Sequence, residues 1–366
     1  MNNHFSTLLI LCSLVSITSC KKPENKEEAS MQNKWEIGPF VKQDAENPIL
    51  SPDPSLVFVD PVSGEETAFE GRNVLNPSAV VKDGKVHLLY RAQDQKMTSR
   101  IGLATSEDGI HFIKEPAPIF FPDNDAMLVY ENYGGVEDPR VVQGPEGKYW
   151  LTYTSYDGKT ARLCIASSPD LRQWTKHGPV LNDPKYRDLW SKSGAIVVEQ
   201  LGEEMRAKKI NGQFWMYFGD TNLFMAYSDN LIDWKVLENA ENNKMVSVLH
   251  PRPGYFDSRL VEPGPYALWT ENGINLIYNA SNAANNNDPQ LPKFTYAAGQ
   301  ALFSATRPYQ LLERTQGYFI YPDKDYEKIG EVNEVCFVEG MVFFKDKWLL
   351  YYGTADSKIA VAIAEK

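Results

Sequence analysis

Cysteine and histidine are scarce in this chain, and each scarcity closes a route. There are four cysteines among 366 residues, too few for a disulfide framework. Of these, Cys164 and Cys336 lie in the body of the chain. Both sit in apolar strand patterns, which favours buried free thiols over a disulfide or a metal site. The five histidines are scattered, so neither a histidine metal centre nor any cofactor is expected. There is no apolar run long enough to span a membrane, no heptad pattern, no glycine-rich phosphate loop and no zinc-ligand spacing. Helical periodicity of any length is missing. Basic residues are outnumbered, for a formal net charge of −11. That balance disfavours nucleic acid and other polyanions as partners and leaves a neutral substrate open.

What the chain has instead is repetition. A short apolar strand ending in a Ser/Thr/Asp-rich turn recurs at 101–109, 163–171, 223–231, 301–306 and 359–362. Each copy follows an aromatic strand, at 86–91, 149–154, 214–219, 274–279 and 348–353. Before these come five inner strands, at 77–81, 139–143, 194–199, 266–270 and 341–344, most of them followed by a polar turn with glycine. Similar units at a period of roughly 60–70 residues predict a radial array of antiparallel sheets, an all-β five-bladed β-propeller over residues 35–366. The last strand should pair with the N-terminal part of that body, since an open edge invites aggregation. Three stretches break the regularity: a charged one at 200–209, read as a short helix or loop, and loops at 245–259 and 282–293.

The N-terminus reads as an export signal. Residues 5–19 are apolar and Ser/Thr-rich, with the length of a signal-peptide core. Ile17–Thr18–Ser19–Cys20 is similar to a relaxed bacterial lipobox. The expectation is a signal over 1–20, a lipid anchor on Cys20, a charged tether over 21–34, and a place in the cell envelope, periplasmic or surface-facing. Plain secretion with cleavage nearby is the alternative.

In a radial array the equivalent ends of the inner strands meet at the axis. Aligning the five starts brings Asn76, Glu137–Asp138, Lys192–Ser193, Glu262 and Glu339 to one funnel. The ends of the second strands add Arg91 with Asp94, Thr154–Ser155 with Asp157, Asp220, Asn279 and Asp356. Turn chemistry accounts for one or two polar residues beside Pro or Gly, but not for five at matching points. Carboxylates accept sugar hydroxyl protons, Arg and Lys donate, and Tyr133, Trp190 and Trp269 are candidates to stack on sugar rings. Clustered carboxylates also serve glycoside cleavage, one as acid and another activating water.

Gly135–Val136–Glu137–Asp138–Pro139–Arg140, Asn76–Pro77–Ser78–Ala79, Leu89–Tyr90–Arg91–Ala92 and Tyr351–Tyr352–Gly353–Thr354–Ala355–Asp356 resemble glycoside hydrolase family 130. So do Asp325–Tyr326–Glu327 and Phe337–Val338–Glu339–Gly340. The resemblance covers about residues 45–364. It implies a five-bladed propeller acting on β-mannosides, by phosphorolysis or by hydrolysis, with inversion. It makes Asp138 the proton donor, in the phosphorylases through a substrate hydroxyl, and gives Asn76, Arg91, Lys192 and Asp356 the terminal mannose. Glu137, Arg140, Ser193 and Asn279 complete the expected substrate-binding set.

Phosphorolysis needs a dianion pocket of Arg, Lys or His. Where the family's phosphorylases carry an Arg phrase and a Tyr-His-Gly phrase, this chain reads Tyr217–Phe218–Gly219–Asp220 and Tyr278–Asn279–Ala280. This resembles the branch that hydrolyses β-1,2-linked mannosides, with Asp220 and Glu262 as candidates for the general base. The leading expectation is an exo-acting, inverting β-mannosidase on short β-mannooligosaccharides. The rivals are a β-mannoside phosphorylase and a non-catalytic glycan-binding lipoprotein.

Overall fold

The computed structural model describes Met1 and residues 35–366; the signal, the tether and Cys20 lie outside the described residues. The body is mostly β-sheet; among the described residues the α-helices are the single turns Leu128–Glu131 and Asp325–Lys328, with one 3-10 turn at Pro145–Gly147. Apart from a two-stranded hairpin of Val57–Val59 and Glu66–Ala68, most strands pair with their sequence neighbours in five antiparallel groups. Sheet one runs Asn73–Lys82, Lys85–Gln93, Ser99–Ser106 and Ile113–Lys114. Sheet two runs Gly135–Gln143, Tyr149–Tyr156, Ala161–Ser168 and Thr175–Pro179. Sheet three is built on Ala195–Leu201, Gln213–Phe218, Phe224–Ser228 and Trp234–Val236. In sheet four the inner position is split into Leu260–Pro263 and Ala267–Thr270. Both segments pair with Gly273–Ser281, and Tyr296–Phe303 and Leu311–Arg314 follow. Sheet five joins Cys336–Phe344, Lys347–Thr354 and Lys358–Glu365, and its fourth strand is Val41–Lys42 from the other end of the chain. The expected pairing of the last strand with N-terminal sequence is therefore present.

Neighbouring sheets meet through their inner strands. Asn73–Lys82 lies against both Gly135–Gln143 and Cys336–Phe344, and Ala195–Leu201 pairs in parallel with Ala267–Thr270. Between the sheets the filling is apolar: Val142, Ile196, Leu268, Val338 and Leu350 belong to one buried cluster. Cys164 and Cys336 are buried free thiols, as their sequence context suggests.

The repeated phrase of the sequence is a turn with a definite mechanism. In sheets one to three, Ser106, Ser168 and Ser228 end the third strand. Each Oγ accepts from the backbone N–H three residues on, at Gly109, Leu171 and Leu231. Those three residues have φ of 80°, 71° and 67°. Asp108, Asp170 and Asn230 then accept from the next backbone amides, the usual work of such side chains in turns. The following tryptophans, Trp174 and Trp234, donate Nε1–H to Leu171 and Leu231 O at 3.1 and 3.0 Å.

A second repeat is invisible in the sequence. The buried tyrosine of each second strand donates its hydroxyl to an acid that precedes the inner strand. Tyr90 bonds Glu70 at 2.6 Å, Tyr153 bonds Glu131 at 2.9 Å, Tyr278 bonds Asp257 at 3.0 Å and Tyr352 bonds Glu327 at 2.9 Å. Each acid is paired with a cation of its sheet's fourth strand: Lys114, Lys176, Arg314 and Lys42 respectively. Buried carboxylates need such pairing. In sheet three Tyr217 instead donates to Pro308 O at 2.6 Å. These triads tie the outer strand, the second strand and the approach to the inner strand into one rigid unit.

Two expectations change in detail. The stretch at 200–209 is neither helix nor open loop, because Ala195–Leu201 turns back into Glu204–Ala207 as a hairpin. The inner strands of sheets one, two and five also begin earlier than the sequence suggests, and that difference makes the site.

Candidate active site

In those three sheets the pairing of the inner strand slips once. The slips fall between Leu75 and Pro77, Glu137 and Arg140, and Val338 and Gly340. The residues left over are Asn76, Asp138 with Pro139, and Glu339. A bulge unpairs a residue and re-aims its side chain, and a proline costs the ladder nothing there because it has no N–H to give. Asn76 and Asp138 take φ of 47° and 51°, and Ser193, just before the inner strand of sheet three, takes 58°. Left-handed backbone is uncommon without glycine, and Asn and Asp tolerate it best. In sheet four Glu262 stays in the ladder, opposite Asn279, in the short segment that ends at Pro263.

The freed side chains interlock across the sheets. Asn76 Nδ2 donates to Asp138 Oδ1 at 2.7 Å. Arg91, from the second strand of sheet one, sits 2.9 Å from Asp138 Oδ1 and 2.9 Å from Glu137 Oε1. Lys192 Nζ is 3.4 Å from Asp138 Oδ2. Ser193 donates its hydroxyl to Glu262 Oε1. Trp190 Nε1–H bonds Asp220 Oδ2 at 2.7 Å. Asp138 is 3 % exposed, while Asp220 is half-buried.

These surroundings divide the carboxyls. For Asp138, burial alone would raise the carboxyl. Arg91 and Lys192, with the Asn76 hydrogen bond, outweigh it and hold the group well below the usual range. Glu137 goes the other way, pushed up by burial and by the Asp138 charge against the pull of Arg91. Glu262 is raised by burial and by the neighbouring Asp220, with Lys192 and Arg140 opposing. Burial pushes Asp356 up to about 6, with Arg91 opposing and Asp138 adding. Lys192 would be depressed by burial, but Asp138, Glu262 and Glu137 overcome this and raise it. Asn76, Arg91, Glu137, Asp138, Lys192, Ser193, Asp220, Glu262 and Asp356 thus form one electrostatic cluster.

Several expected members stand elsewhere or do something else. Arg140 donates to Gly264 O and Pro263 O at 2.7 and 2.8 Å and sits 3.0 Å from Glu339 Oε1. Asn279, fully buried, gives Nδ2–H to Val338 O at 2.8 Å and accepts from Val338 N at 2.7 Å. Both link neighbouring sheets through bonds to protein groups. Asp94 and Asp157 do not join the funnel. Their partners are Arg100 and Arg162, at the start of their own third strands. Trp269 is also away from it, with Nε1–H on Ala305 O at 3.1 Å and Lys208 Nζ over its ring at 4.0 Å.

One residue deserved more weight than the sequence suggested. Glu339 is 0 % exposed, its carboxyl is pushed well above the ordinary range by burial, and neither oxygen has a well-aligned hydrogen bond among the described residues. Its alignment with Asn76 and Asp138 was the available signal.

The family model for glycoside hydrolase family 130, described as beta-1,4-mannooligosaccharide phosphorylase, matches residues 41–366. A 1,2-beta-oligomannan phosphorylase of Thermoanaerobacter sp. (strain X514) is 30 % identical over 311 residues, which is 82 % of this chain and 92 % of that protein. A putative glycoside hydrolase from Parabacteroides distasonis is 40 % identical with a TM-score of 0.88, over 91 % of this chain and 98 % of that one. Another solved structure is 42 % identical with a TM-score of 0.89, over 91 % and 95 % of the two chains. It is presented with the statement that the GH130 family of mannoside phosphorylases contains glycoside hydrolases that target beta-1,2 mannosidic linkages in Candida mannan. With its propeller-like strand order, its Glu-Asp-Pro-Arg bulge and this match over nearly the whole described body, the chain belongs to glycoside hydrolase family 130.

Proposed function

We propose that this protein is an exo-acting, inverting β-mannosidase that releases mannose from β-1,2-linked mannosides, and that its five sheets are the blades of a five-bladed β-propeller. We further propose export by the signal over 1–20, anchoring through Cys20, and work in the cell envelope on short β-mannooligosaccharides. Asn76, Arg91, Lys192 and Asp356 bind the terminal mannose.

One observation carries the choice of water over phosphate. Arg91, Lys192 and Arg140 each already face a carboxylate at 2.9–3.4 Å, while Glu262 has a second carboxyl, Asp220, near enough to raise it. A phosphate dianion entering there meets like charge, whereas water meets a base. Glu262 is the better base. Its raised carboxyl lies nearer the working pH, where general bases are most effective, and Ser193 orients it. Asp220 tunes it from the rim.

Arg91, Lys192 and Asn76 favour the charged form of Asp138, so it acts as an acid only once it has gained a proton. Glu137 shares Arg91 with it and is a raised carboxyl placed to supply one. Substrate hydroxyls that take over the hydrogen bonds of Arg91 move the proton of the pair toward Asp138, and from there through a substrate hydroxyl to the leaving oxygen.

Phosphorolysis is the second reading, favoured by the names of the curated relatives. Its cation would be Arg259, exposed at the rim with its guanidinium 5.1 Å from the Phe294 ring. Incubation with β-1,2-mannobiose, with and without inorganic phosphate, separates the two by their products.

A further inference from the structure

Beside the carboxylate cluster runs a line of aromatic rings that no fold requirement explains. Tyr133 is 67 % exposed and Trp190 is 49 % exposed, with half-buried Tyr156 between them. The ring centroids are 5.8 Å apart from Tyr133 to Tyr156 and 6.1 Å apart from Tyr156 to Trp190, with interplanar angles of 83° and 63°. Edge-to-face contacts of this kind hold the rings in place, while the exposure of Tyr133 and Trp190 leaves part of each ring open to solvent.

The line meets the cluster at one end and at its middle ring. At one end the Trp190 indole N–H holds Asp220 at 2.7 Å. At the middle ring, Gly134 lies between Tyr156 and Glu137. A Cβ there would stand 2.7 Å from the Tyr156 ring and 3.1 Å from Glu137 Oε1. Gly158, with φ of 85°, seats Tyr133 in the same way: a Cβ would meet that ring at 3.1 Å. Two glycines therefore let the rings lie flat against the backbone beside the acids. A ligand lying along these exposed rings would end beside Asp220 and Glu137.

We propose that Tyr133, Tyr156 and Trp190 form an aromatic platform for the leaving-group side of a β-mannoside chain, binding the second and later sugar rings through their C–H faces. This rests on the mannoside reading of the cluster and adds to it a chain-length preference. The net negative charge of the cluster and its rim excludes acidic glycans, so the ligand class is neutral β-linked mannooligosaccharide of two or more residues.

The test compares wild type with Tyr133→Ala, Trp190→Ala and Trp190→Phe on β-1,2-mannobiose, -mannotriose and -mannotetraose. The expected result is that Tyr133→Ala and Trp190→Ala shrink the kcat/KM advantage of tetraose over biose by about fivefold to tenfold each, mainly through KM. Trp190→Phe keeps the ring and should keep most of that advantage. An unchanged chain-length ratio in both alanine variants, at wild-type thermal stability, would overturn the platform. If the wild type cleaves none of the three sugars, the hydrolase reading fails on its own, and calorimetric titration with mannotetraose still decides the platform. Weaker binding in the alanine variants supports it. Equal binding, or no binding by the wild type, rejects it.

Discussion

Asn76 and Asp138 face each other from two neighbouring sheets, joined by a 2.7 Å hydrogen bond from Nδ2 to Oδ1, and both hold left-handed backbone at a strand bulge. The same local device, used twice, turns two side chains that regular strands would commit to the ladder's alternation into a pair aimed at one point.

Replacing Asp138 tests what that pair is for. Asp138→Asn preserves the size of the side chain and its acceptor for Asn76 but removes the transferable proton. General acid catalysis is typically worth about 10²–10⁴ in rate, so kcat should fall by at least that range while the far-UV spectrum and unfolding midpoint stay near wild type. Near-normal turnover would remove Asp138 from the chemistry. Unfolding of the variant would make it a structural bulge residue.

The base assignment is tested by amide variants together with the pH profile. Glu262→Gln should abolish turnover with little change in mannobiose affinity, whereas Asp220→Asn should keep measurable turnover. Glu262 works only when deprotonated and is raised above its ordinary 4.5, so kcat/KM should fall as pH drops through a value higher than that. Because Lys192 opposes the rise, Lys192→Met should move this acid limb further up in pH, besides weakening mannose binding. An acid limb that stays in place, or moves down, would separate Glu262 from it.

The tyrosine–acid–cation units predict a stability effect remote from the site. Glu131 is fully buried and holds Lys176 at 2.5 Å. Removing one partner of a buried ion pair costs about 3–5 kcal/mol. Lys176→Met should therefore lower unfolding stability by about that much in a urea titration, and Lys176→Arg should recover most of it. A change below about 1 kcal/mol would mean that the pair is screened by solvent.

The sequence made much of this visible, for particular reasons. The turn after the third strand recurs as Ser-x-Asp or Ser-x-Asn because its hydrogen bonds are local, within three residues of Ser106, Ser168 and Ser228, so the repeat survives as a phrase. Asn76, Asp138, Lys192, Ser193 and Glu262 could be aligned because each sits at the same step of that repeat. What could not be read depends on distant partners. Lys42 pairs with Glu327 across 285 positions, and nothing near Asn279 reveals that Val338 occupies its amide. A carboxylate after a strand looks the same in sequence whether it faces the axis or, like Asp94 and Asp157, an arginine of its own sheet.

The central claim is that water, not phosphate, attacks. The direct measurement is the product released from β-1,2-mannobiose in phosphate-free buffer and in buffer with inorganic phosphate, followed by chromatography. The account predicts free mannose in both, at rates that phosphate does not raise. Mannose 1-phosphate as the main product whenever phosphate is present would contradict it.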